Sequence, residues 1–289
     1  MLKFIDQTLK KISPSLHARL KQGFRSYKKK ANPKLSREEF ISILKKDLKI
    51  AAGDTVFIHS SMRNLYLDFG KNEILEILQS VVGAEGTLAF PCWQFNVRAE
   101  DYIKEHDIVF DIKNSPSAMG KMPDELKNDP NAFRSFHPTN SVVAIGKHAE
   151  ELTKGHETDV YPCGEQSPFY KLIKFKAKIA GIGVTVDNLT FVHAVEDTIK
   201  SAFPIKTRND EIYACKCIDA NGHPQVVNTL VASKAISHRD VFGFFKKHIP
   251  STMYRNVNVK NMDFFSLDTP PAYDQLKQLA SENKTIYHF

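Results

Sequence analysis

Three consecutive segments between residues 55 and 91 constrain the fold more than any other part of the chain. Thr55-Val56-Phe57-Ile58-His59 is a nearly unbroken apolar run, bounded by Gly53-Asp54 before it and Ser60-Ser61 after it. Such a run, flanked by turn residues, reads as a buried strand. Residues 72–82 then set Ile74, Leu75, Leu78 and Val82 on one side of a helix, Gly83-Ala84-Glu85-Gly86 turns the chain, and residues 87–91 read as a second strand. Strand, helix and strand in that order belong to an α/β domain, in which ligands gather at the strand ends.

The flanking chain extends this pattern. Ser36-Arg37-Glu38-Glu39 has capping-box spacing, and Phe40, Ile43, Leu44 and Leu48 follow as a helical stripe. Residues 94–130 are long, polar and weakly periodic, which inside a compact domain points to a functional or mobile loop. Regular structure returns with a strand over 141–145, a short helix over 148–152 and a glycine-ended strand over 178–183. A helix over 190–199 places His193, Glu196 and Asp197 on one face. Residues 212–218 and 225–231 flank Asp219-Ala220-Asn221-Gly222 as a β-hairpin, and helical stretches follow near 239–248 and 272–282.

Composition narrows the class. The chain has 289 residues, 42% hydrophobic and 25% charged, as in ordinary globular proteins long enough to bury a sizeable core. No apolar run approaches the roughly 20 residues of a membrane span, and the first residues lack a signal peptide's apolar block. Cys92, Cys163, Cys215 and Cys217 are too few for a disulfide framework, so a reducing, cytoplasmic setting is the default. Cys215 and Cys217 share one face of a strand and read as packing. Of 40 basic and 33 acidic residues, ten basic and one acidic fall in 1–34, leaving 30 against 32 in the remainder. The net charge of +7 therefore belongs to an N-terminal arm, and a nucleic-acid-binding role for the body loses its support. That arm carries Leu2, Ile5, Leu9, Ile12, Leu16, Leu20 and Phe24 at helical spacing, interrupted by Pro14. It can lie on an anionic membrane or a partner, or pack its stripe on its own domain or on a second subunit of a homodimer. The domain proper is expected over 35–289.

Residues 133–141, Phe-Arg-Ser-Phe-His-Pro-Thr-Asn-Ser, concentrate candidate chemistry. Pro138 keeps His137 out of helical backbone, and an imidazole among small donors and acceptors can serve as a general base near neutral pH. The same histidine can instead cap a local carbonyl. Arg134 can meet phosphates or cap backbone; Trp93 and Phe95 can line an acceptor pocket or the core. His193 with Glu196 forms a helix-face pair, and no further ligands stand at metal-binding spacing, so no metal is expected.

Several pieces taken together resemble the aminoglycoside 3-N-acetyltransferase family. They are Val56-x-x-His59-Ser60-Ser61, Gly83-x-x-Gly86-Thr87-Leu88-x-x-Pro91, Ser115-Pro116-Ser117 with Met119-Gly120, and Arg134-Ser135-x-His137-Pro138-x-x-Ser141-Val142-x-Ala144-x-Gly146. His156, Gly164-x-x-Ser167-Pro168, Gly181-x-Gly183 and Thr190-x-x-His193-x-x-Glu196 follow in order, so the motif core spans about 54–200. The resemblance implies a mixed-sheet α/β fold distinct from the GNAT fold, and direct transfer of an acetyl group from acetyl-CoA to a sugar amine. By motif position it makes His137 the base, with Glu196 its orienting partner, Thr190 near the thioester carbonyl and His193 lining the site. His59, Ser60, Ser61, Met62, Arg134 and Ser141 fall where the family builds its CoA pocket. The chain departs from the family where Met62 to Lys71 keeps a single glycine, and at Phe191, where a small polar residue is more common. The basic arm, of a kind suited to work near membrane-bound glycan assembly, turns the acceptor expectation toward a nucleotide-linked or polysaccharide-biosynthetic amino sugar; an aminoglycoside antibiotic is the alternative, and a non-catalytic CoA- or sugar-binding homologue the second.

Overall fold

The capping box at Ser36 forms as its spacing predicts: the Ser36 hydroxyl accepts from the Glu39 N–H at 3.2 Å, and the Glu39 carboxylate accepts from the Ser36 N–H at 2.8 Å. Such a pair satisfies two of the donors a helix start leaves open. It opens α1 (Arg37–Ser42), which runs into a π-helical turn at Ile43–Asp47. The computed structural model describes residues 32–105 and 109–287, so most of the basic arm, residues 1–31, lies outside the described residues.

β1 (Thr55–Ser60), α2 (Glu73–Val82) and β2 (Thr87–Pro91) follow as the sequence predicts. The polar section is less bare than its periodicity indicates. It holds α3 (Ala99–Glu105), β3 (Val109–Asp111) and α4 (Lys121–Leu126), elements too short to show a period. After them come β4 (Ala132–Arg134), β5 (Val142–Gly146), α5 (Ala149–Thr153), α6 (Pro168–Lys174), β6 (Lys178–Ile182) and α7 (Val192–Ile199). The predicted hairpin is β7 (Arg208–Ile218) and β8 (Pro224–Ala232), followed by α8 (Val241–His248). A second hairpin, β9 (Tyr254–Val259) and β10 (Met262–Asp268), was not legible, and α9 (Thr269–Ser281) succeeds it.

The main sheet has seven strands in the order β4-β5-β2-β1-β6-β10-β9. β1 pairs in parallel with β2 and β6, while β5 and β10 add antiparallel partners outside them, which makes the sheet mixed. Alternation along the strands fills both faces. Phe57, Ala89, Ile179 and Phe265 enter one core with α6, α7, α8 and α9. Val56, Ile58, Leu88, Phe90, Ala180 and Phe264 enter the other with α1 and α2. Each large side chain so buried is worth about 1.5–3 kcal/mol. A smaller sheet, β3-β7-β8, encloses Phe110, Tyr213, Cys215 and Cys217, and the two cysteines are unoxidised packing residues.

Because β1 and β6 are parallel, their carboxyl ends open on the same edge, with Ser60 level with Ile182. Gly183 follows at φ +70°, a conformation that favours glycine, and the Ser61 carbonyl lies 2.8 Å from where a Cβ would stand. The Asn64 side-chain amide donates to the Gly183 carbonyl at 2.7 Å and fixes this corner. Among the described residues no helix is long and apolar enough to cross a membrane.

Candidate functional site

α7 begins beside this strand edge and carries the best-formed acid–base pair among the described residues. His193 and Glu196 are three residues apart on one helical face, and the His193 Nδ1 lies 2.8 Å from Glu196 Oε2. The Glu196 side chain is 1% exposed and the His193 side chain 13%, so the carboxylate is sealed while the imidazole keeps an open edge. On that edge Arg239 donates to His193 Nε2 at 3.0 Å. The ring network is then settled: Nδ1 carries the proton and donates to Glu196, and Nε2 offers its lone pair. Burial opposes the charge on Glu196, but His193, Arg208 and the Tyr287 hydroxyl more than offset it and hold the carboxyl below its ordinary range.

His59, at the end of β1, approaches the same helix start. Its Nε2 makes long contacts of 3.4 Å and 3.5 Å with the Thr190 hydroxyl and N–H. It is 5% exposed, and burial, aided by the charge of Arg239, pushes its pKa down to about 3. His59 is thus neutral and buttresses Thr190. Ser60, Ser61 and Met62, which continue from it, are half-buried at the strand edge. Phe191, the departure noted in this motif, is fully buried and packs in the core beneath α7.

The Arg-Ser-x-His-Pro stretch lies largely in the interior, His137 and Ser141 fully buried and Arg134 half-buried. His137 is 0% exposed, so its imidazole does not face an open cleft. Its Nδ1 accepts from the N–H groups of Thr139 and Asn140 at 3.3 Å and 3.2 Å, and the ring stacks on His156 at 4.3 Å. Burial, then the neighbouring His156 and Arg208, hold its pKa well below the usual imidazole value. Glu196 does not orient His137, because its two oxygens are engaged by His193 and Tyr287. Arg134 turns inward: Nη1 donates to the Ser115 and Ile112 carbonyls, Nη2 to the Cys92 carbonyl at 2.6 Å, and Nε to Ser141 Oγ at 3.0 Å. Its guanidinium also lies over the Phe110 ring, and Ser141, its partner, is fully buried.

Further groups take parts that sequence reasoning did not assign to them. Asp197, next to Glu196, forms a two-pronged pair with Arg208 at 2.7 Å on both prongs and accepts from the Cys163 N–H at 2.8 Å. Burial works against the Arg208 charge, and the Asp197 carboxylate outweighs it and keeps the guanidinium protonated. His156 is equally buried, bonded to Ser135 and to the Pro162 carbonyl at 2.9 Å each, and burial pushes its pKa down to about 3. Tyr287 and Arg239 reach the His193–Glu196 pair from distant sequence. Only the i, i+3 spacing of His193 and Glu196 could have announced the pair itself. Among the described residues no three His, Cys, Asp or Glu side chains converge as metal ligands.

With this geometry in hand, the relatives are informative. The family model for aminoglycoside 3-N-acetyltransferase matches residues 57–281. Aminoglycoside N(3)-acetyltransferase IX of Micromonospora chalcea is 32% identical over 167 residues, covering 52% of this chain and 58% of that enzyme. The chain thus spans little more than half the length of this curated relative. The solved structure of aminoglycoside acetyltransferase AAC(3)-Xa superposes with a TM-score of 0.73 at 22% identity, over 91% of this chain and 98% of the other. A second, described as AAC-IIIb binary with CoASH, gives 0.71 at 22% identity over 89% and 100%. Both likenesses establish the fold. The chain belongs to the aminoglycoside 3-N-acetyltransferase family.

Proposed function

We propose that this chain is an acetyl-CoA-dependent N-acetyltransferase acting on an amine of an aminoglycoside-type amino sugar, with His193 as general base. The observation that carries the reading is the His193–Glu196 pair: a sealed carboxylate, a fixed tautomer and an Nε2 lone pair on the open side of a strand edge. A sugar amine attacking the thioester carbonyl must lose a proton as the C–N bond forms. His193 Nε2 takes that proton, Glu196 stabilises the imidazolium, and the proton then passes to the thiolate released when the C–S bond breaks. Arg239 now donates to Nε2, so the incoming amine replaces it as donor. Thr190, half-buried at the helix start, offers a hydroxyl to the carbonyl oxygen, a type of contact worth roughly 3 kcal/mol in the transition state. Ser60, Ser61 and Met62 would hold the pantetheine arm along the β1 edge.

A nucleotide-linked amino sugar is the second acceptor reading, and one observation favours it. A cavity of about 440 Å³ beside Glu196 is lined by Lys200, Lys206 and Arg208 against Asp210 and Glu196, a charge balance that does not draw a polycation. Thiol release from acetyl-CoA, measured with aminoglycosides and with nucleotide-linked amino sugars, separates the two. Turnover of aminoglycosides supports the first reading; turnover confined to nucleotide-linked acceptors replaces it. His193→Ala is expected to lower kcat by about 10²-fold or more. An undiminished rate removes His193 from the mechanism.

A further inference from the structure

Glu196 is held from two directions, and the second comes from a part of the chain beyond the family-matched residues 57–281. Its Oε2 accepts from His193 at 2.8 Å, and its Oε1 accepts from the Tyr287 hydroxyl at 2.5 Å. Glu196 is 2% exposed and Tyr287 5%, so water does not compete readily for either oxygen. We propose that Tyr287 is a positioning residue for the transfer reaction, holding the Glu196 carboxylate so that His193 keeps the tautomer and orientation of a base.

The backbone around Tyr287 is fixed for this task. Tyr287 forms an isolated antiparallel bridge with Arg239, and the Asp240 N–H donates to the Ile286 carbonyl at 2.9 Å. The Tyr287 ring packs edge-on against Phe203 with centroids 6.4 Å apart, within the same core that supports α7. Directly opposed residues of an antiparallel pair project to the same face. That explains why Tyr287 reaches the carboxylate end of the pair while Arg239, its partner in the bridge, reaches the imidazole end at 3.0 Å. One bridge therefore grips both ends of the His193–Glu196 unit.

A carboxylate with one oxygen unsatisfied in a buried site can turn toward another donor, and Arg208 is close enough to act on Glu196 electrostatically. The Tyr287 hydroxyl removes that freedom. Outer hydrogen bonds of this kind fix ring orientation and basicity for metal-bound histidines, and the physics is the same for a histidine base. Burial and the adjacent carboxylate raise the Tyr287 phenol above its ordinary pKa, so it remains a donor throughout the working range.

The inference rests on His193 and Glu196 being the acid–base pair, and the test separates the two. Tyr287→Phe keeps the ring and its contact with Phe203 while deleting the hydroxyl. It is expected to lower kcat about tenfold, with KM for acetyl-CoA unchanged and a melting temperature lower by a few degrees. In a Glu196→Gln background the same substitution should have no further effect, since both act through one carboxylate. Tyr287→Leu removes ring and hydroxyl together: if packing alone mattered, it would lose activity while Tyr287→Phe would not. Wild-type kcat in Tyr287→Phe, or an undiminished loss in the Glu196→Gln background, overturns the inference. An active His193→Ala overturns the base assignment, and the positioning role with it; an inactive His193→Ala beside a fully active Tyr287→Phe overturns the positioning role alone.

Discussion

Three histidines buried in the neutral form make this protein sensitive to mild acid. His59 and His156 have their pKa values pushed down to about 3 by burial, and His137 is shifted in the same direction. In the unfolded chain each titrates near 6.5, so between 6.5 and about 3 the unfolded state binds protons that the native state does not. Stability is therefore complete above pH 6.5 and is lost as the pH falls below it. At pH 5.0 the penalty is about 2 kcal/mol for each of His59 and His156, from about 1.4 kcal/mol for each pH unit below the unfolded pKa. His59 and His156 together give about 4 kcal/mol, a large share of the roughly 5–15 kcal/mol typical of a folded protein, and His137 acts in the same direction. At about 2.1 cal/mol/K per residue of unfolding entropy this lowers the melting temperature by on the order of 10 °C. Most carboxylates are still ionised at pH 5 in both states, so the interval isolates the imidazoles. Thermal and urea unfolding at pH 7.5, 6.0, 5.5 and 5.0 would measure the effect. The slope below pH 6 should reach at least about 3 kcal/mol per pH unit, two protons from His59 and His156, with His137 steepening it. His156→Gln, which cannot titrate, should reduce that slope by about 1.4 kcal/mol per unit whatever it does to stability at pH 7.5. Constant stability from pH 7.5 to 5.0, or an unaltered slope in the variant, would refute the reasoning.

Two further predictions concern groups that the sequence left unassigned or assigned otherwise. Arg208→Met strands the Asp197 carboxylate in the interior and should cost about 3–5 kcal/mol in urea unfolding, part of which Asp197→Asn in the same chain should restore. Arg134→Ala deletes charge-assisted bonds to the Cys92, Ile112 and Ser115 carbonyls and to Ser141, at about 1.5–3 kcal/mol for the stronger ones. Its melting temperature should fall while the KM for acetyl-CoA stays unchanged; a KM that rises selectively would return Arg134 to the cofactor.

The elements that sequence announced are those whose local signal agrees with their tertiary setting. β1, α2 and β2 are apolar and bounded by turn residues, and Asn221-Gly222 marks the β7–β8 hairpin, where Gly222 does take a positive φ of 84°. β9 escaped because it is an edge strand whose exposed Asn256 and Asn258 and half-buried Arg255 dilute its apolar signal. In the site, the spacing of His193 and Glu196 was readable, since one helix turn brings them together. The bond from Tyr287 to Glu196 spans 91 residues and that from Arg239 to His193 spans 46, distances over which no local pattern operates. His137 shows the opposite failure. Pro138 fixed its backbone legibly, but the depth at which that backbone would lie is a property of the whole sheet.

The place of β6 bears on how the protein is made. β6 lies between β1, produced early, and β10, produced more than eighty residues later. A ribosome-bound chain that has paired β6 with β1 still presents the other edge of β6 unpaired, and it does so while the intervening residues are synthesised. An open edge of Ile179, Ala180 and Ile182 beside unfinished cores is a template for pairing with another nascent chain. Yield on expression should accordingly depend on how quickly translation delivers the β9–β10 hairpin. Slow codons between residues 183 and 262 would then promote aggregation without altering a single residue of the finished protein.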